Sequence, residues 1–260
     1  MTRVLSALVL LPVVLGTIWY LPPAGTLTLV VVAAALAFAE FRGLAAQLGA
    51  RVPAVLGGVA VVASAVALGL GEAAIEVELA ALIAVGAAAV AGSRPGPTVL
   101  ADVATTLLAP LYIGLPLGAL AAVRAAHGRE ALLALVATIV VSDSAQYYVG
   151  RLAGRRPLAP AISPKKTVAG AVGGFVAGAL CLAIAGRFWL PALEWWLAGA
   201  VGAMVALLGM AGDLFESLLK RSAGVKDSSG LIPGHGGMLD RLDSWLFAAP
   251  AYYVFLRHAL

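Results

Sequence analysis

Stretches of about twenty consecutive apolar residues recur along almost the whole chain, and a run of that length matches a helix crossing about 30 Å of hydrocarbon. A helix also satisfies its backbone polar groups internally, as lipid demands. The runs lie at 4–22, 25–41, 53–71, 73–93, 103–123, 131–150, 168–186, 190–212 and 245–258. A mean hydropathy of +1.01 over the chain is far above what one water-soluble core can hide. The expected fold is all-α: a polytopic integral membrane protein with about nine transmembrane helices. The fourth run carries Glu76 and Glu78, and the ninth is short. The first follows Arg3 as a signal peptide would, but Trp19, Tyr20 and Pro22 suit an interfacial anchor better than a cleavage site.

Short cytoplasmic loops collect Lys and Arg. With a cytoplasmic N-terminus, Arg3, Arg42, Arg51, Arg94, Arg151, Arg155, Arg156, Lys165, Lys166, Lys220, Arg221, Lys226 and Arg241 all fall inside. Only Arg124, Arg129, Arg187 and Arg257 fall outside. Removing one of the first eight spans would break this alternation, so count and orientation support each other. The chain then divides into an N-terminal region of about five spans, residues 1–125, and a C-terminal membrane region, residues 126–260, with cytoplasmic loops at 151–167 and 213–244.

Several features carry no chemistry. Cys181 is the lone cysteine, which excludes an intramolecular disulfide or a cysteine metal cluster. Gly170, Gly174 and Gly178 recur at the spacing of close helix packing. Gly69 and Gly71 sit between two spans with no strand before them, which excludes a dinucleotide-binding turn, and no GxxxxGK[ST] phosphate loop occurs. The net charge of +4 resides at span ends and reflects topology, so no nucleic-acid partner is expected.

Polar residues concentrate in two places. In "GDLFESLLKR", Asp213, Ser217 and Lys220 follow i, i+4, i+7 and share one helix face. An ionisable residue at the membrane boundary needs a partner or a wet cavity, which makes Asp213 a functional candidate. A plain ion pair with Lys220 or Lys226 is the alternative. Glu216 lies off that face and is expected to be solvated or structural. Downstream, Pro233, Gly234, Gly236 and Gly237 around His235 exclude a regular helix. Such glycines let backbone amides approach an anion. Asp240 and Asp243 follow, three apart, at the start of the last helix. Magnesium is commonly held by one or two carboxylates plus substrate phosphate oxygens, and this inventory suits a Mg²⁺-phosphate site.

The second cluster is "SDSAQYYVGRLAGRRPLAPAISPKKTVAG". It contains Asp143 near the membrane boundary and a compact basic turn of Ser163, Lys165 and Lys166 beside Pro164. Arg155 and Arg156 suit a topological role.

The run Ser217-x-Leu219-Lys220-Arg221-x4-Lys226-Asp227-x-Ser229-x2-Ile232-Pro233-x-His235-Gly236-Gly237-Met238-x-Asp240-Arg241-Leu242-Asp243 resembles the signature of the phosphatidate cytidylyltransferases, or CDP-diacylglycerol synthases. A second block of that family is similar to Asp143 and Tyr147-x2-Gly150-Arg151, followed by Ser163-Pro164-Lys165-Lys166-Thr167. The family commonly has a glutamate before the glycine of that block, where this chain has Ala169. Residues 1 to about 125 match only in being membrane spans.

The resemblance implies that CTP and phosphatidate react to CDP-diacylglycerol and pyrophosphate, with Mg²⁺ required. It implies a metal site at Asp213 and Asp240, with Asp243 or Asp227 in support. Lys220, Arg221, Lys226 and Arg241 would neutralise the triphosphate, with backbone amides of Gly236 and Gly237 reaching it. Ser163, Lys165 and Lys166 would take the phosphatidate headgroup or share the triphosphate. Asp143, Ser217 and His235 complete the substrate-binding set, with His235 donating to a phosphate or fixing the loop. A lipid and a soluble nucleotide must both reach the site. The expectation is therefore a multi-pass protein of the cell (inner or plasma) membrane, with its site at the cytoplasmic face in a cavity open to lipid; a homodimer is compatible with it. Two rivals are a CTP-dependent polyprenol kinase, which moves the γ-phosphoryl group, and an ion transporter with Asp143 and Asp213 on its path.

Overall fold

The computed structural model describes residues 2–92, 94–232, 234 and 236–260. Nine helices and one hairpin occur among them: α1 Thr2–Tyr20, α2 Pro23–Gln47, α3 Ala54–Leu70, α4 Ala74–Gly92, α5 Val99–Ala109, α6 Leu115–Ala153, strands β1 Pro157–Ala159 and β2 Ser163–Thr167, α7 Val168–Trp189, α8 Trp195–Ser222 and α9 Leu239–Ala259. Five stretches are long and apolar enough to cross a membrane: Pro23–Gln47, Ala74–Gly92, Val99–Ala153, Val168–Trp189 and Trp195–Ser222. The glutamates of α4 do not prevent this. Helix α3 is apolar but has only 17 residues, and α9, with Asp240, Arg241 and Asp243 in its first turns, is not among the five.

Local sequence sets the breaks. Pro22 and Pro23 open α2, Pro23 taking the first-turn position where its missing N–H is harmless. Gly71 closes α3 with φ 74°, a left-handed cap that glycine adopts without strain. A π-helical turn, Pro110–Gly114, joins α5 to α6. Gly128, at φ 86° and ψ 176°, breaks α6 internally, so the expected spans 103–123 and 131–150 lie on either side of it.

The chain forms two compact units: residues 1–125 with 222–242, and residues 126–221 with 243–260. In the first, α3 packs against the start of α6 through small residues. A Cβ on Gly114 would lie 2.6 Å from the Val61 carbonyl oxygen, and one on Gly118 would lie 2.7 Å from that of Ala65. Phe38, Phe41, Tyr112 and Ile113 fill the interior. Arg124 donates to the carbonyls of Ile18 and Leu21, tying α6 to the end of α1.

In the second unit, Gly170, Gly174 and Gly178 form a buried stripe on α7. A Cβ on Gly174 would stand 2.9 Å from the Ser142 carbonyl oxygen of α6, and one on Gly178 3.1 Å from that of Gly202 on α8. The stripe is a packing seam, as its spacing predicts. Tyr252 of α9 is fully buried and donates to the Ala131 carbonyl at 3.0 Å. Large apolar side chains such as Val90, Leu100 and Phe188 face outward, which is ordinary where lipid is the solvent.

The loop at 151–167 is not wholly irregular. Strands β1 and β2 pair antiparallel, with Pro157 opposite Thr167 and Ala159 opposite Ser163. The Thr167 hydroxyl then accepts from Gly170 N at 3.1 Å and caps α7. The prolines hide this hairpin from a sequence reading, because they weigh against strands except at edges.

Candidate active site

Within the second unit the polar residues of three helices and the hairpin converge. On β2, Lys165 is exposed to solvent while its neighbour Lys166 is half-buried. Lys166 Nζ meets Asp213 Oδ2 at 2.5 Å. The Asp213 partner is therefore Lys166, not Lys220 or Lys226. Ser217, one turn on, contacts Asp213 Oδ1 at 3.4 Å, the proximity that the i, i+4 spacing predicts.

Lys220 instead pairs with Glu216, four residues earlier on α8. Glu216 is fully buried and Lys220 only 8% exposed, so of the two expected roles, solvated or structural, the structural one fits. A carboxylate in that setting is tolerable because its cation partner is buried beside it.

Helix α9 approaches α8 where glycine permits. A Cβ on Gly212 would overlap the carbonyl oxygen of Asp243, and one on Gly209 would touch Ser244 at 3.5 Å. This contact brings Asp243 into the electrostatic field of Asp213, Glu216 and Asp143. Asp143 accepts from Ser244 Oγ at 3.2 Å and from Gln146 Nε2 at 3.1 Å. Asp143, Asp213 and Asp243 thus crowd negative charge together, against Lys166. No three His, Cys, Asp or Glu among the described residues form a ready metal shell. The donor chemistry nevertheless suits a hard divalent cation, which takes carboxylate oxygens as ligands and relieves the repulsion between them.

Within the first unit, residues 223–238 form the glycine-rich loop. Gly224, Gly234 and Gly236 have φ of 73°, 77° and 80°, and Ile232 N donates to the Gly236 carbonyl at 2.8 Å, bridging a tight reversal. A Cβ on Gly236 would lie 2.7 Å from Asp240 Oδ2, so glycine there answers both conformation and space. Asp240 is buried, and its Oδ2 accepts from Ser228 N at 2.9 Å, Ser228 Oγ at 2.8 Å and Gly237 N at 2.8 Å. The expected metal carboxylate is thus engaged in shaping the loop. Lys226, Asp227 and Arg241 are exposed, as is Arg221 on the last turn of α8. Gly237 is buried. His235 and Pro233 lie outside the described residues.

One residue escaped the sequence reading. Glu40 of α2 is 8% exposed and accepts hydrogen bonds from Ser228, Ser229, Met238 and Leu239. The signal was present, since Glu40 is the only acid in a mostly apolar helix. The apolar cavity of the second unit, about 540 Å³ and lined by Val141, Leu180, Ile184 and Phe188, contains none of the predicted site residues.

Residues 1–259 match the profile of the cytidylyltransferase family. A phosphatidate cytidylyltransferase of Synechocystis is 41% identical over 154 residues, covering 56% of this chain and 52% of the relative. One of Helicobacter pylori is 40% identical over 146 residues, covering 56% and 54%. An uncharacterized protein of Escherichia coli, YnbB, is 40% identical over 131 residues, covering 50% and 44%. The chain spans about half the length of the curated relatives it matches.

Proposed function

The chain belongs to the cytidylyltransferase family, and we propose that it transfers CMP from CTP to phosphatidate, releasing pyrophosphate and forming CDP-diacylglycerol. The observation that carries this reading is the cluster of Asp143, Asp213, Asp243 and Lys166 at the polar end of apolar helices. Such a cluster suits two phosphate-bearing reactants, one held by its acyl chains in lipid. The relatives in Synechocystis and Helicobacter pylori, both phosphatidate cytidylyltransferases, support the same substrates.

In the reaction a phosphate oxygen of the lipid attacks the α-phosphorus of CTP, and the bond from that phosphorus to the β-phosphate bridging oxygen breaks. A phosphate monoester has a second pKa of about 6 and is largely dianionic near neutrality, so it needs no general base. The barrier lies in bringing anions together and in aligning attack with departure, which makes charge neutralisation and positioning the main contributions.

Asp213 and Asp243, with Asp143 beside them, would hold a divalent cation such as Mg²⁺, which when bound supplies positive charge to phosphate oxygens. Asp240 shapes the glycine-rich loop of the first unit, its Oδ2 serving three loop donors. Backbone amides of that loop and the exposed Lys226 and Arg241, with Arg221, take the triphosphate and the leaving pyrophosphate. Asp227 and His235, both within that stretch of sequence, would support the same phosphates. Lys166 balances Asp213, and Ser163 and Lys165 on β2 receive the phosphatidate headgroup. Lys220, paired with Glu216, steadies α8 under Ser217 and Asp213.

The proposed topology is nine spans with a cytoplasmic N-terminus, placing both polar loops at the cytoplasmic face of the cell membrane. Product analysis tests the reaction: pyrophosphate with lipid-borne CMP supports it, whereas CDP with a lipid monophosphate indicates γ-phosphoryl transfer to a polyprenol.

A further inference from the structure

We propose that Glu40 is a positioning residue that clasps the two ends of the glycine-rich loop and so presents Gly234 and Gly236 to the nucleotide phosphates. The functional half of this statement rests on the reading of that loop given above. The clasp itself rests on geometry within the first unit.

Glu40 Oε1 accepts from Ser229 Oγ at 2.6 Å and from Met238 N at 2.9 Å. Its Oε2 accepts from Leu239 N at 2.8 Å and Ser228 Oγ at 2.9 Å. Two of these donors precede the reversal at 230–236 and two follow it, so one carboxylate closes the loop at its neck. Met238 N and Leu239 N also belong to the start of α9, whose first amides lack intrahelical acceptors and favour negative charge. Asp240 reinforces the neck from within the loop through Ser228 and Gly237. Ser228 Oγ stands against both carboxylates; its single hydrogen serves one at a time and holds the two acids to one hydroxyl.

Glu40 lies 188 residues from Ser228 in sequence, so α2 supplies a fixed post that the loop cannot supply for itself. With its neck closed, the segment carrying Gly234 and Gly236 loses less freedom when a ligand binds, the effect by which preorganisation raises affinity. A carboxylate is required because all four contacts bring donors. In Glu40→Gln the amide nitrogen would face two of them with hydrogens of its own, so an isosteric change should open the clasp.

The test uses the full chain in detergent. In Glu40→Gln, amide hydrogen exchange at Ser229, Met238 and Leu239 should accelerate while the amides of α8 keep wild-type protection. The KM for CTP should rise about tenfold or more, as expected for losing charge-assisted hydrogen bonds, with the KM for phosphatidate within about twofold. Ser229→Ala, which removes one donor and leaves the carboxylate, should show the same pattern more weakly, and it stands in if Glu40→Gln does not fold. Unchanged exchange at the neck overturns the clasp. Accelerated exchange with an unchanged KM for CTP, or with equal effects on both substrates, overturns the positioning role. If the wild type transfers no CMP, the functional reading fails, while the exchange result still decides the clasp.

Discussion

Lys166 Nζ lies 2.5 Å from Asp213 Oδ2, joining the only hairpin among the described residues to α8. Its neighbour Lys165 points to solvent. Two adjacent lysines therefore have unequal roles. Lys166→Met should lower kcat by about 10²–10³, the scale for removing one preorganised charge from a phosphoryl site. Lys165→Met should cost far less of kcat and act on the KM for phosphatidate. Steady-state kinetics on both variants decides this.

Gly212 marks a close approach of α8 and α9, with the Asp243 carbonyl where a Cβ would stand. Gly212→Ala should destabilise the protein by about 1–3 kcal/mol through overpacking and disturb Asp213 and Asp243 together. Gly230→Ala, in open space, is the control. Thermal unfolding in detergent should show a lower midpoint for the first and little change for the second.

The buried Glu216 and Lys220 pair predicts non-additivity. Removing one partner leaves a buried charge without its counter-ion and should cost about 3–5 kcal/mol. Glu216→Leu with Lys220→Met together should cost less than either alone, since no charge is then stranded. A double-mutant cycle on thermal stability measures the coupling.

Thr167 caps α7 through the amide of Gly170. Thr167→Ala should cost about 1 kcal/mol, the usual effect of losing an N-cap, whereas Thr167→Ser should retain most of that stability. The shift in unfolding midpoint distinguishes them.

Helical character was legible because apolar run length reports directly on membrane helices, and Asp213 with Ser217 was legible because helical spacing alone puts them together. Glycine packing at 170, 174 and 178 was readable for the same reason. For Glu216 a structural role was legible beside a solvated one, but its burial is a tertiary fact that the periodicity of a single helix does not contain. Lys166 could not be told from Lys165 until the hairpin fixed which of them turns inward. Asp240 and Glu40 meet only through the folded loop, so one was expected at a metal and the other was passed over as part of a span.

The most direct test of the central claim supplies purified protein with phosphatidate, Mg²⁺ and CTP labelled at the α-phosphate, beside an Asp213→Asn variant. The account predicts label in the lipid phase with the wild type, equimolar pyrophosphate, and a loss of at least about a hundredfold in the variant. Label remaining in the aqueous phase with folded wild-type protein, or undiminished transfer by the variant, would contradict it.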